Sequence, residues 1–181
     1  MDPLAWFGLG RSKTDVTPLG AVHARVKALL PDDESVVHRY IVIVAVLLIR
    51  VAQAQGQVRR GALDYLQGLF RHVDRMPSEG IEELCATLVE WVPRMTTADL
   101  DLCHRELKAL CDASERLQVM RLLASQATVD GNVAPPEHAE LVRIAEALGV
   151  PTTLIEQLEL DALTGTAPPI ATEEADRTVE E

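Results

Sequence analysis

The sequence predicts an all-α protein, a helical bundle of about seven to eight helices that contains two weakly related helical hairpins. Three observations favour this class. The chain has 181 residues and is 48% hydrophobic but only 3% aromatic, so its core is expected to be aliphatic. Alanine, leucine, valine and glutamate are frequent and aromatic strand formers are few, a composition that favours helices. Apolar residues recur at helical spacing between short polar connections.

The helices are predicted in chain order from their start signals and from the spacing of their apolar residues. Thr17 can cap the first helix, since the proline that follows suits a helix start. The acids of "PDDES" lie where the dipole of the long second helix favours negative charge. The predicted helices cover 18–30, 34–54, 60–73, 79–92, a segment that starts near 97, 114–129, 135–148 and 151–163.

One domain is predicted, at 17–163, with a segment of different character on each side. Residues 1–16 are predicted to form a flexible arm in which Trp6 and Phe7 are the only large anchors. The two rings offer a large contact area, which makes them candidates for binding a partner or for peripheral contact with a membrane surface. The favoured alternative is that the arm folds back onto its own domain. Residues 164–181 are acidic and contain prolines, which predicts a disordered tail.

The longest apolar run, Ile41 to Ile49, spans nine residues. A transmembrane helix needs about 20 apolar residues, so no membrane-spanning segment is predicted. We expect a helix that is buried on most sides in the middle of the bundle. A buried strand is the alternative, since a short apolar run fits both structures.

The charge and the cysteines restrict the class of function and the setting. A net charge of −11 argues against nucleic-acid binding, because contact with phosphates needs a basic surface. Cys85, Cys103 and Cys111 are too few for a disulfide framework, and "MDPLAW" lacks the basic start of a signal peptide. A reducing, cytoplasmic setting is therefore expected. On one helix Cys103 and Cys111 lie roughly 12 Å apart, too far to share a zinc ion.

No catalytic arrangement is recognisable, so the chain is not expected to be an enzyme. No serine or cysteine lies in a nucleophile motif, and no glycine-rich phosphate loop occurs. The histidines His23, His38, His72 and His138 are spread singly along the chain. They are expected to be surface or capping residues rather than metal ligands.

A weak internal repeat appears when the sequence is shifted by 75 residues. "LLIRVAQAQGQVRRGALDYLQGL" then lies over "LLASQATVDGNVAPPEHAELVRI", and Gly56 and Val58 meet Gly131 and Val133. Each copy contains a long helix, a glycine break and a second helix. The repeat predicts two helical hairpins that pack against each other.

The second glycine break, "QATVDGNVAPPE", partly matches a twelve-residue calcium-binding loop. Asp130 falls at loop position 5, Gly131 at 6 and Glu137 at 12, with Thr128 at position 3 in place of a carboxylate. Asp130, Glu137 and Thr128 are therefore candidate ligands for a weakly bound divalent cation, the one cofactor considered. The favoured alternative is a helix corner, in which Gly131 adopts a left-handed conformation and Glu137 bonds back to the amide of Ala134.

These same residues carry a resemblance to a known family. The pattern Asp-Gly-x-Val-x-x-x-Glu between two helices, with the second ending in "RIAEALGV", resembles the TerB-like family, named for bacterial tellurite resistance and found also in DjlA-type co-chaperones. The resemblance covers about 18–163 and implies an all-helical fold with two related halves. It also implies an acidic surface that can associate with metal. The first half departs from this pattern, with Gln55 at the acidic position and Arg59 and Arg60 nearby.

The function expected from this resemblance is a non-enzymatic interaction or scaffold module with a protein partner, in a bacterial stress-response or envelope-associated system. Two alternatives remain open. One is a weak divalent-cation-binding domain that uses the Asp130 and Glu137 hinge. The other is an uncharacterised helical enzyme, which would need polar groups that converge in a pocket.

Overall fold

The computed structural model describes residues 17–165, and this part of the chain contains eight α-helices and two short 3-10 helices. Within that range there is no strand, so the predicted all-α class is confirmed and the strand alternative for residues 41–49 is wrong. The arm at 1–16 and the tail from 166 lie outside the described residues. The α-helices are α1 Pro18–Leu29, α2 Ser35–Ala52, α3 Arg60–Arg71, α4 Ser78–Trp91, α5 Thr97–Leu110, α6 Ala113–Ala127, α7 Pro135–Leu148 and α8 Ile155–Thr164.

Helix α2 runs through the centre of the bundle. Its nine consecutive residues from Ile41 to Ile49 are all buried, and the helix contacts α1 and α3 to α7. A helix that is apolar on every side can be stable in water only if other helices cover every side. By length and composition α2 is also the one helix of the described range that is able to cross a membrane, a property that core helices share.

The two hairpins of the predicted repeat are α2 with α3 and α6 with α7. Gly56 and Gly131 lie in the turns that join the two helices of each hairpin. Their φ angles are positive, at 100° and 83°. This left-handed region is readily accessible to glycine alone, which explains the two breaks. The hairpins pack directly on each other, since α2 contacts both α6 and α7 and α3 contacts α6.

Side-chain caps mark the starts of α1, α5 and α6. The hydroxyl of Thr17 accepts a hydrogen bond from the amide of Gly20 at 3.1 Å, as expected for the cap of α1. The last helix differs: residues Thr152–Leu154 form a 3-10 turn, and α8 begins at Ile155 rather than near 151. The two β-branched residues Thr152 and Thr153 have a low preference for the α-helix. The amide of Leu154 donates to the carbonyl of Pro151 at 3.1 Å, and this bond closes a 3-10 turn.

Two of the histidines are buried, so the expectation of a surface position is wrong for them, although His38 bonds the C-cap carbonyl of α1. His23 on α1 and His38 on α2 are 8% and 3% exposed, and their rings meet edge to face with centroids 6.1 Å apart. Nε2 of His38 donates to the carbonyl of Leu30 at 2.6 Å, because a carbonyl can only accept. The sequence separation of 15 residues hid the pair, which forms only when α1 packs on α2.

The buried pair predicts that stability falls in mild acid. Burial, aided by the positive charges of His38, Lys27 and Arg39, lowers the pKa of His23 from 6.5 to about 4. The unfolded chain therefore takes up this proton first as the pH falls. The stability is complete above pH 6.5 and declines between pH 6.5 and pH 4, by about 2 kcal/mol at pH 5. Urea unfolding at pH 7 and pH 5 measures the loss.

The matched variants for this measurement are His23→Gln and His72→Gln, the second at a solvent-exposed histidine. His23→Gln should abolish most of the difference between pH 7 and pH 5, while His72→Gln should keep it. An equal loss in all three proteins would mean that other groups cause the acid sensitivity.

Candidate functional site

The two glycine breaks face each other across a small cleft, here called the hinge cleft. It is lined by side chains from both hairpins, among them Gln55 and Arg59 from the first break and Gln126, Asp130 and Glu137 from the second. Its volume is about 10 Å³, enough for a single water molecule or ion. The structure thus brings together Asp130 and Glu137, two of the three predicted ligands.

Arg59 joins the two hinges through its guanidinium group. Nη1 donates to Oδ2 of Asp130 at 2.7 Å, and Nη2 donates to Oε1 of Gln55 at 2.8 Å. In the 75-residue repeat Gln55 and Asp130 are equivalent, so one arginine bridges the same position of both hinges. Both partners of the ion pair are exposed, at 55% and 38%, and such pairs contribute less than about 1 kcal/mol to stability. Its main effect is to neutralise the acid.

Glu137 is buried at the start of α7, and it caps that helix. Its Oε2 accepts a hydrogen bond from the amide of Ala134 at 2.9 Å, as the helix-corner interpretation predicts. The reverse half of a capping box is missing, because Ala134 has no side-chain acceptor. Gln126 beside it is 4% exposed, and neither polar atom of its amide has a hydrogen-bond partner within residues 17–165.

The hinge cleft fits a divalent cation poorly. Asp130 is already paired with Arg59, and one oxygen of Glu137 is occupied by a backbone amide. Thr128, the third predicted ligand, does not line the cleft, and its hydroxyl donates to a backbone carbonyl at 3.1 Å. Over the described range, no group of three or more His, Cys, Asp or Glu side chains is placed to hold a metal ion. The geometry favours a helix corner.

The cysteines are all free and buried, as predicted from their number. Burial raises the pKa of the Cys103 thiol to about 12 and that of the Cys85 thiol to about 11. Burial likewise raises the pKa of Cys111. A thiol that stays protonated at neutral pH is a poor nucleophile and a poor metal ligand, so these side chains act as small core residues.

An apolar groove lies away from the hinge cleft along the first hairpin, between residues 40–48 of α2, the end of α3 and α6. Its volume is about 470 Å³, within the range of natural binding pockets. Among the lining residues of the described range, only His72 and Tyr40 carry polar side-chain groups, an imidazole and a hydroxyl. Its apolar lining includes Val44, Leu48, Leu69, Phe70, Val73 and Leu122.

The groove continues into exposed apolar side chains at the start of α2. Val36, Val37 and Tyr40 are 38%, 39% and 37% exposed. Val37 precedes Val44 by seven residues on the helix, so the two lie on one face, two turns apart. The exposed stripe and the groove therefore form one continuous apolar surface, larger than isolated surface residues would produce.

The sequence predicted the hinge residues but neither the Arg59 bridge nor the apolar groove. In the sequence Arg59 is only a basic residue beside the first break, because its partner Asp130 lies 71 residues away. The local signal for the groove is the set of apolar side chains Val36, Val37 and Tyr40, which precede the buried run Ile41 to Ile49 on α2. Trp6 and Phe7, the candidate partner-binding residues, lie outside the described residues.

Comparison with known proteins identifies one family. The family model described as "Tellurite resistance protein TerB" matches residues 42–160, about two thirds of the chain. The matched region begins inside α2 and ends inside α8, so it includes both hairpins, the hinge cleft and most of the groove. No curated protein and no solved structure matches the chain.

If Glu137 acts as a helix cap, its removal should destabilise the fold in the absence of any metal. Glu137→Ala leaves the amide of Ala134 without its acceptor and should lower the free energy of unfolding by about 1 kcal/mol. Glu146→Ala, an exposed substitution on the same helix, should change it by less than about 0.5 kcal/mol. Urea unfolding with a chelator present compares them, and equal effects would contradict the capping role.

Proposed function

We propose that this chain, which belongs to the tellurite resistance protein TerB family, is an interaction module that receives an apolar segment of a protein partner. Family membership makes it a tellurite-resistance-related helical domain, and the scaffold role within a bacterial stress-response or envelope-associated system is our proposal. We also propose a cytoplasmic setting, supported by three free, buried cysteines.

The apolar groove is the observation that carries this proposal. A concave surface of about 470 Å³ lined by aliphatic side chains suits the apolar face of an amphipathic helix, which anchors through residues at helical spacing. The net charge of −11 favours a partner segment whose flanks are basic, because opposite charge speeds association. The partner of choice is therefore a basic amphipathic helix.

The composition of the groove supports a role without catalysis. A reaction needs polar groups that converge on one point, and the lining offers only His72 and Tyr40. Glu140 on α7 is a buried carboxylate outside the groove. It pairs with Arg50 on α2 and with Arg143 on α7, so the network links α7 to α2. The carboxylate is balanced by arginines, which suits a structural role better than proton transfer.

Cation binding at the hinge cleft is a second candidate function, and Gln126 favours it. Its buried amide has no hydrogen-bond partner within the described residues and lies beside an ion-sized space with the carboxylates of Asp130 and Glu137. A bound ion would satisfy the amide oxygen. Against this stands Arg59, whose positive charge already occupies Asp130 and would repel a divalent ion.

The interaction role predicts a partner contact that is specific to the groove. A photoreactive residue in place of Val73, which lines the groove, should crosslink a defined protein in cells; the same residue at Leu160, exposed on α8, should not. The purified partner should then bind Leu69→Lys at least about tenfold more weakly than wild type, because a buried anchor is lost. Leu160→Lys should bind normally. Equal binding by Leu69→Lys and wild type would contradict the proposal.

The cation role predicts a metal-dependent rise in the unfolding temperature. A ligand at 100 times its dissociation constant adds about 2.7 kcal/mol of stability, a clear rise in the midpoint. Wild type, Asp130→Asn and Arg59→Gln are each unfolded with and without millimolar Ca²⁺, Mg²⁺, Mn²⁺ or Zn²⁺. If the cleft binds a cation, Arg59→Gln should respond more than wild type and Asp130→Asn less. No response in any of the three proteins removes this candidate.

A further inference from the structure

The aromatic residues of the chain are few and distributed unevenly, and two of the six line the apolar groove. The chain has two tryptophans, two phenylalanines and two tyrosines. Tyr40 and Phe70 line the groove, and Trp6 and Phe7 lie next to each other in the sixteen residues that precede Thr17. Four of the six aromatic side chains thus belong either to the groove or to this short segment, in a protein whose core is otherwise aliphatic.

We propose that the segment "PLAWFGLG" of residues 3–10 docks into the apolar groove of its own chain, with Trp6 and Phe7 against Tyr40 and Phe70. The segment is almost wholly apolar, and its charged neighbours Asp2 and Arg11 lie at its two ends. The apolar part of such a segment can be covered by the groove while its charged ends stay in solvent. Aromatic rings attract each other in edge-to-face or offset geometry, which gives this occupant an advantage over an aliphatic one.

The length of the connection allows this docking within one chain. Thr17 is fixed at the cap of α1, and α1 packs on α2 and α4. Ten residues separate Trp6 from Thr17, and the eleven residue steps of extended chain between them reach about 35 Å. A domain of this size has a radius of gyration of about 15 Å, so the groove lies within reach. A short tether also gives an effective concentration in the millimolar range, which favours the segment of the same chain over a second copy.

Docking would make the segment an internal competitor of the partner, and this consequence rests on the proposed function of the groove. A partner can bind only the fraction of molecules whose groove is free. If the segment occupies the groove nine-tenths of the time, removing its two rings strengthens the apparent affinity of the partner about tenfold. Apolar sequences that bind the groove weakly are then unable to displace the segment.

The fluorescence of Trp6 tests the docking directly. In the full chain with Trp91→Phe, Trp6 is the only tryptophan. Its emission should be blue-shifted relative to the same chain in unfolding urea, and the shift should not depend on protein concentration. Val73→Lys and Tyr40→Lys, both in the groove, should move the emission towards that of the unfolded chain. Leu160→Lys, an exposed apolar site on α8, is the matched control and should leave it unchanged. Far-ultraviolet circular dichroism confirms that each variant is folded.

Three results would overturn the docking. The first is a Trp6 emission already equal to that of the unfolded chain. The second is a blue shift that neither groove variant changes, which places the segment elsewhere, or one that appears only with lipid vesicles. The third is a shift that grows with concentration together with dimers in sedimentation equilibrium, which assigns the groove to a second copy.

The partner experiment separates this inference from the proposed function. If Trp6 is exposed to water and Val73 still crosslinks a partner, the docking is wrong and the interaction role stands. If Trp6 docks but the chain with Trp6→Ala and Phe7→Ala also fails to capture a partner at Val73, the docking stands and the interaction role is wrong. If both proposals are correct, the chain with Trp6→Ala and Phe7→Ala should capture more of the partner at Val73 than wild type does.

Discussion

The burial of α2 is the constraint on which the rest of this structure depends. Nine consecutive residues of this helix are enclosed, and that requires apolar neighbours on every side. Helices α1 and α3 to α7 supply them, so their positions follow from the need to cover one apolar cylinder. Each fully buried large aliphatic side chain contributes about 1.5–3 kcal/mol, and α2 has more buried residues than any other helix of the described range. The apolar groove lies at the edge of α2 where the cover is incomplete.

The two hinges of the repeat share the glycine but differ at the acidic position. Both breaks retain the glycine that permits a positive φ angle, because the turn between helices cannot form without it. The acid is present in only one of them, and the first hinge contributes Arg59 instead. A guanidinium group that pairs with Asp130 provides the positive charge from within the chain.

The hinge cleft and the apolar groove, both lined by the first hairpin, differ in size and polarity. At the turn between α2 and α3 the hinge cleft is small and polar, and its two carboxylates already have partners within the chain. Between residues 40–48 of α2 and the end of α3 the groove is large and apolar. Carboxylates that are already paired gain little from a ligand, whereas an exposed apolar surface is stabilised by any suitable cover. This contrast is the physical basis for placing the interaction role at the groove.

The sequence alone determined the fold class, the family and the approximate bounds of the helices, because helical periodicity, proline and glycine signals are local. Thr17 and Glu137 could be recognised as caps because their partners lie three residues away. Tertiary packing decided the rest. The pairing of Arg59 with Asp130, the burial of His23 against His38 and the groove between α2, α3 and α6 join residues that are distant in the chain. Their distances depend on how the helices pack around α2, and no local pattern encodes that arrangement.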